Sequence, residues 1–402
     1  MNINIFPSKL KGEITAPPSK SYAHRLLICA ALANGKSRIG GISESDDMKA
    51  TISCMEALGA KTFRKGQEIF AEGISEKCKG VPVLDCNESG STLRFFIPVS
   101  LVFAKEAVFT GTLRLIERGV GIYEEMLGSS GISFEKSERE IRVKGSLLPG
   151  TYTMRGDVSS QFASGMLFCL PLLEGDSVLK ITGPVESRPY IDITIDALKS
   201  FGIEIKEEPE NTFNIKGGQV YRPGDISAEG DWSNAAFLYA FNALGSDIKI
   251  KGLNENSIQG DKACVKMLCA LEEKAPQIDL SLSPDLGPVL FAAAAAKNGG
   301  HFTGIRRLRI KESDRAKAMA DELLKFGIKC ETGENDMVIE KGELKKPKEV
   351  LNAHNDHRIA MSLAVLSSIT GAQIEGAQAV KKSWPDFFEE MEKLGLKTEK
   401  RD

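Results

Sequence analysis

The sequence predicts an α/β protein of two similar domains, three repeated units in each, with apolar helices packed inside a shell of sheets and outer helices. Two observations carry this. A helix stop ending in glycine and an apolar residue recurs along the 402 residues: Leu58-Gly59-Ala60, Ser130-Gly131-Ile132, Phe201-Gly202-Ile203, Phe326-Gly327-Ile328 and Leu394-Gly395-Leu396. Glycine there suits a left-handed helix C-terminus. The interval between Gly202 and Gly327 accommodates two shorter units, with a stop near Leu271 that lacks the glycine, so the chain holds six. The second observation is a helix in each of five units that is apolar nearly all round: Phe95–Phe103, Phe162–Leu173, Ala235–Leu244, Leu286–Ala296 and Ile359–Ile369. Such helices are buried on every side.

Within a unit the elements follow one order. A polar cluster opens the apolar helix. A short β-like stretch follows, such as Val178–Ile181 or Ile248–Ile250, then an amphipathic helix such as Ile191–Phe201. Alternating strands around a turn close the unit, as in Ile132–Phe134 and Glu140–Val143. The last unit runs out at 397–402 without that strand pair, so Ile3–Phe6 and Gly12–Thr15 are expected to supply it. The domains are then expected at 19–229 and at 1–18 plus 230–402, with the active site in the cleft between them. The chain crosses near Pro17-Pro18 and near Gly224–Gly230.

A net charge of −3 leaves no electrostatic footprint for nucleic acid or an acidic membrane, so any anion site must be a local concentration of cations. The longest low-polarity run, Val289–Lys297, is too short to span a bilayer, and the N-terminal stretch does not read as a signal peptide. Eight cysteines without a CxxC pair fit a reduced, cytoplasmic setting.

The polar clusters at the helix starts are where chemistry concentrates. They are Ser19-Lys20-Ser21, Ser89-Gly90-Ser91, Ser159-Ser160-Gln161, Asp231-Trp232-Ser233, Ser283-Pro284-Asp285 and Asp356-His357-Arg358. Each reads equally as a helix cap and as an anion site, since free N–H groups and the positive helix end favour negative charge. Cations recur near them: Lys20 and Arg25, then Arg94, Arg114 and Arg118, then Arg188, Lys311 with Arg315, and Arg358 with Lys382. The pattern implies a substrate with at least two anionic groups. The stretch Arg307-Leu308-Arg309-Ile310-Lys311-Glu312-Ser313-Asp314-Arg315 adds a carboxylate among cations, and Asp285 and Glu312 are the leading acid/base candidates. His354 and His357 could bind a metal, but no third His or Cys neighbour supports it, and no nucleotide-binding glycine loop occurs.

Taken together, the motifs Pro18–Arg25, Ser89–Arg94, Val158–Gln161, Ser187–Tyr190, Pro284-Asp285, Arg309–Arg315, Asn355–Arg358 and Lys382–Asp386 resemble those of the EPSP synthase family of enolpyruvyl transferases, the 3-phosphoshikimate 1-carboxyvinyltransferases. The resemblance spans almost the whole chain. It implies two domains of three βαβαββ units with parallel buried helices and outer sheets, an inverse α/β barrel. It also implies enolpyruvyl transfer from phosphoenolpyruvate to the 5-hydroxyl of 3-phosphoshikimate, without metal or cofactor, by a monomer sensitive to glyphosate. By the same resemblance Lys20, Ser21, Arg25, Ser159, Ser160, Gln161, Ser187, Tyr190, Asp285 and Lys311 are expected to hold 3-phosphoshikimate. Lys20, Gly90, Arg114, Gln161, Arg315, His357, Arg358 and Lys382 are expected to hold phosphoenolpyruvate. Asp285 is the expected base and Glu312 the expected acid, with Lys311 and Lys20 assisting. Two positions depart from the family pattern: Glu88 and Arg307 stand where asparagine is frequent. The related UDP-N-acetylglucosamine 1-carboxyvinyltransferases use a loop cysteine, and 109–121 contains none. A non-catalytic anion-binding repeat protein would give Asp285 and Glu312 no reason to accompany the cations.

Overall fold

The computed structural model describes residues 1–401. The chain forms two compact units, one of Lys20–Ala228, the other of Met1–Ser19 with the chain from Glu229 onward. Strands β1 (Asn2–Phe6) and β2 (Lys11–Thr15) belong to the latter.

The unit Lys20–Ala228 repeats one motif three times. The first repeat contains α1 (Lys20–Leu32), β3 (Lys36–Gly40), α2 (Asp46–Ala57), β4 (Lys61–Lys65) and β5 (Glu68–Glu72). The second contains β6 (Val83–Asp85), α3 (Gly90–Phe103), β7 (Glu106–Thr110), α4 (Leu113–Arg118), α5 (Gly121–Gly128), β8 (Ser133–Lys136) and β9 (Glu140–Lys144). The third contains β10 (Thr151–Arg155), α6 (Ser160–Cys169), β11 (Ser177–Thr182), α7 (Arg188–Ser200), β12 (Ile205–Glu208) and β13 (Thr212–Ile215). Strand β14 (Asp225–Ser227) then returns to pair with β3 and completes the first sheet.

The three sheets share one order: β14-β3-β5-β4, β6-β7-β9-β8 and β10-β11-β13-β12. The entering strand is parallel to the second, and the closing hairpin pairs antiparallel onto that second strand. A parallel pair needs a crossover, which the buried helix supplies. Gly165 lets α6 lie against α3: a Cβ there would fall 2.2 Å from the Tyr123 hydroxyl and 2.6 Å from the Arg94 carbonyl. That close approach brings the starts of the two helices together.

The other unit repeats the plan with one truncation. It runs through α8 (Trp232–Ala243), β15 (Asp247–Lys251) and α9 (Cys264–Ala270). Next come β16 (Gln277–Asp279), α10 (Gly287–Ala295), β17 (Gly300–Thr303), α11 (Arg315–Lys325), β18 (Cys330–Thr332) and β19 (Asp336–Ile339). It ends with β20 (Leu351–Asn352), α12 (His357–Thr370), β21 (Ala372–Glu375), α13 (Phe387–Lys393) and β22 (Lys397–Arg401). Helices α10 and α12 are buried almost throughout, as their apolar sequences require.

The strand expectations for the chain ends need two corrections. The last repeat does have a strand of its own, β22, which pairs with β1 in the order β20-β21-β1-β22. Its sequence, Lys397-Thr398-Glu399-Lys400-Arg401, carries no apolar alternation because it is a charged edge strand held by its backbone ladder. The segment Gly12–Thr15 pairs instead with β15, in parallel. Complementary charge favours that register, since Glu13 lies 3.3 Å from Lys249 and also pairs with Lys251, while Lys11 lies 3.5 Å from Asp247. This repeat has a two-stranded sheet and no closing hairpin, so the expectation of like units fails there. Among the described residues no helix is long and apolar enough to cross a membrane.

Candidate active site

In the unit that contains Glu229 onward, the polar helix starts gather around one arginine. Asp356 is the N-cap of α12 and accepts from the Arg358 amide at 2.9 Å. Its other oxygen accepts from Arg315 Nε at 2.9 Å and from the Ser313 hydroxyl at 3.0 Å. Arg315 is the first residue of α11, whose own N-cap is Asp314. It also donates to Asp285 Oδ1 at 2.9 Å and to Glu312 Oε2 at 2.8 Å. Arg315 is 1% exposed and Asp356 is fully buried. Burial works against the guanidinium charge, but Asp356, Glu312 and Asp285 hold its proton more firmly than usual.

Asp285 sits in a single 3-10 turn, Pro284–Leu286, before α10. Lys311 Nζ lies 3.2 Å from its Oδ1, and Arg358 reaches Oδ2 at 3.2 Å and the Asp285 carbonyl at 3.1 Å. Burial would raise its pKa, yet Arg358, Lys311 and Arg315 together hold it well below the usual carboxylate range. Burial pushes the Lys311 amine down to about 8, with Asp285 and Glu312 opposing and Arg315 adding to the shift. His357 is buried at the first position of α12, and Lys382 donates to the Asn355 carbonyl.

In the unit Lys20–Ala228, the starts of α1, α3 and α6 carry a second group. Lys20 opens α1 and pairs with Asp47 of α2 at 3.1 Å. Ser89 and Ser159 cap α3 and α6. Gln161 joins those two helices, accepting from Arg94 at 2.7 Å and donating to Ser91 at 2.8 Å. Ser160 is buried beside it. Ser187 is the left-handed residue before α7, and the Tyr190 carbonyl accepts from Arg25 at 2.8 Å. Arg25 is 2% exposed and also donates to Thr194 at 2.7 Å and to the Ser21 carbonyl at 2.6 Å, with its guanidinium 5.1 Å from the Phe95 ring centroid. It is therefore built largely into the packing of α1, α6 and α7.

Several residues near these groups escaped sequence reasoning. Asp47, at the start of α2, holds Lys20, and Asp356, which the sequence places in a helix-start cluster, holds Arg315. Asp261, in the turn Gly260–Ala263, is pushed up to about 6 by burial and by the Asp285 carboxylate, with Arg358 opposing. The guanidinium that approaches Gly90 is that of Arg118, one helical turn beyond Arg114: its Nη2 would lie 2.7 Å from a Cβ at Gly90. Arg307 is buried and donates to the Ser281 carbonyl at 3.1 Å, so it braces the loop before Asp285. His354 Nε2 is bonded to Glu322 at 2.9 Å, and among the described residues no cluster of three or more His, Cys, Asp or Glu is arranged to hold a metal ion.

A model of the EPSP synthase (3-phosphoshikimate 1-carboxyvinyltransferase) family matches residues 6–391. A 3-phosphoshikimate 1-carboxyvinyltransferase from Clostridium botulinum (strain Alaska E43 / Type E3) is 42% identical, with 97% of this chain and 96% of the relative covered. One from Clostridium kluyveri is 41% identical, with 98% and 97% covered. Among solved structures, an EPSP synthase from Acinetobacter baumannii superposes with a TM-score of 0.80 at 25% identity, covering 99% of each chain.

Removing one partner of a buried ion pair leaves the other charge uncompensated. Asp356→Ala is therefore expected to destabilise the protein by about 3–5 kcal/mol, read as a lower urea midpoint. A loss below about 1 kcal/mol, the scale of a surface pair, would show that Asp356 does not hold the cluster.

Proposed function

This chain belongs to the EPSP synthase family, and from that premise we propose how its own residues divide the work. The reaction transfers the enolpyruvyl group of phosphoenolpyruvate to the 5-hydroxyl of 3-phosphoshikimate and releases phosphate through a tetrahedral intermediate. The observation that best supports a division of roles is the convergence of Lys311, Arg315 and Arg358 on Asp285, with Glu312 on the same arginine.

In our reading Asp285 takes the proton of the 5-hydroxyl as its oxygen adds to C2 of phosphoenolpyruvate. Glu312 delivers a proton to the methylene carbon, which becomes a methyl group. In the second half a methyl proton is returned and the C2–O bond to phosphate breaks, restoring the double bond. Cations beside the developing charge stabilise both steps. A carboxylate tied to three cations is a weak base. The carboxylate and phosphate of the donor neutralise Arg315 and Arg358 on binding, which raises the proton affinity of Asp285 toward the useful range.

Lys20, Ser21, Arg25, Ser159, Ser160, Gln161, Ser187, Tyr190, Asp285 and Lys311 are proposed for 3-phosphoshikimate. Lys20, Gly90, Arg114, Gln161, Arg315, His357, Arg358 and Lys382 are proposed for phosphoenolpyruvate, and Arg118 joins them because it abuts Gly90. Both sets serve the one reaction. We also propose a cytoplasmic monomer inhibited by glyphosate.

Phosphate release should require 3-phosphoshikimate as acceptor. Glu312→Gln should cut turnover by about 100-fold or more while leaving 3-phosphoshikimate affinity intact. Activity with UDP-N-acetylglucosamine alone, or full turnover in Glu312→Gln, would contradict the assignment. Gly90→Ala adds a methyl group whose nearest neighbours are the guanidinium atoms at the flexible end of Arg118. It should fold, weaken glyphosate inhibition and raise the KM for phosphoenolpyruvate. Unchanged inhibition would remove Gly90 from the donor site.

A further inference from the structure

Glu322 is an ionisable residue that the chemistry above does not use. It lies on α11 with its side chain 1% exposed. A buried carboxylate persists only where donors satisfy it, and this one has three. It accepts from the Asn352 amide at 3.0 Å, from His354 Nε2 at 2.9 Å and from Lys325 Nζ at 3.0 Å. Lys325 also donates to the Val350 carbonyl at 3.0 Å. Burial would raise the Glu322 pKa, but these bonds hold it below the usual carboxylate value.

Two of the donors, Asn352 and His354, lie on the segment that leads into α12, while Lys325 is on α11 itself. His354 and Asn355 are consecutive left-handed residues, at φ 49° and 50°. Such residues persist where their surroundings over-determine them. The His354 amide is fixed on Asn352 Oδ1 at 2.6 Å, and the Asp356 amide on the Ala353 carbonyl at 2.9 Å. Asn355, the second left-handed residue, turns its carbonyl to Lys382 Nζ. Asp356, the next residue, holds Arg315. Arg315 and Glu322 are seven residues apart, on one face of α11. That face therefore grips the 352–356 segment at two points, one at its start and one at its end.

We infer that Glu322 is a positioning residue that acts through the 352–355 turn on Lys382, and so on the hold on phosphoenolpyruvate. This rests on the assignment of Lys382 to that substrate. Without the carboxylate, the turn loses the hold on its start, at the Asn352 amide and His354 Nε2, and the carbonyl that places the Lys382 ammonium moves with it. The residues proposed for 3-phosphoshikimate other than Asp285 and Lys311 belong to the Lys20–Ala228 unit, so the hold on that substrate should not feel the change.

The test uses the full chain with Glu322→Gln and the milder His354→Asn, which keeps a residue tolerant of the left-handed region but too short to reach Glu322. Amide hydrogen exchange across 352–356 and the KM for each substrate are measured. In Glu322→Gln, exchange there should quicken and the KM for phosphoenolpyruvate should rise about tenfold, with that for 3-phosphoshikimate unchanged. His354→Asn should follow with a smaller effect of the same kind. Equal rises in both KM values, or quickened exchange with neither KM altered, would overturn the inference. Lys382→Met is the control. If it raises the phosphoenolpyruvate KM and Glu322→Gln does not, the inference alone fails. If it leaves that KM unchanged, the assignment of Lys382 fails and takes the inference with it.

Discussion

The buried pairing of Arg315 with Asp356 is the constraint on which the Glu229-onward unit's site depends. Two charges out of water are unfavourable unless further bonds complete them. Here Asp356 is completed by the Arg358 amide and the Ser313 hydroxyl, and Arg315 by Asp285 and Glu312. The same bonds that satisfy the pair fix the start of α12, the start of α11 and the turn before α10. Folding stability and the placement of Asp285 and Glu312 are thus one set of interactions.

The electrostatic consequence is a site of mutually dependent charges. Asp285 stays ionised because cations surround it, and the Lys311 amine is weakened because it is buried among charges of both signs. In the reading proposed above, substrate anions would exchange for the protein carboxylates as partners of the same cations, and the shift in proton affinity would follow from that exchange.

Much of this was legible in the sequence. The repeat showed through the glycine stops and the all-apolar helices, because a buried helix cannot hide its composition. The polar clusters were found at the helix starts because capping and anion binding use the same residue types. What escaped has physical reasons. The charged strand Lys397–Arg401 is held by backbone bonds that leave no side-chain pattern, and the pairing of Lys11–Thr15 with Asp247–Lys251 is a long-range contact. Asp47 and Asp261 differ from ordinary surface acids only in what surrounds them. Arg114 and Arg118 are one turn apart, and their spacing alone does not say which reaches Gly90. Arg307 stands out in the sequence as a departure from the family pattern, and in the fold it donates to the Ser281 carbonyl.

The central claim is that burial among the Arg315 carboxylates sets the proton affinities of the reacting groups. It is tested most directly by the pH dependence of kcat/KM for 3-phosphoshikimate, the substrate Lys311 is proposed to hold, which reports the free enzyme. Lys311 must be protonated to act as a cation, so the account predicts that activity falls as pH rises through about 8. In Lys311→Arg, whose guanidinium stays charged, that fall should move to higher pH. A wild-type profile level through this range, or an identical fall in Lys311→Arg, would contradict the account.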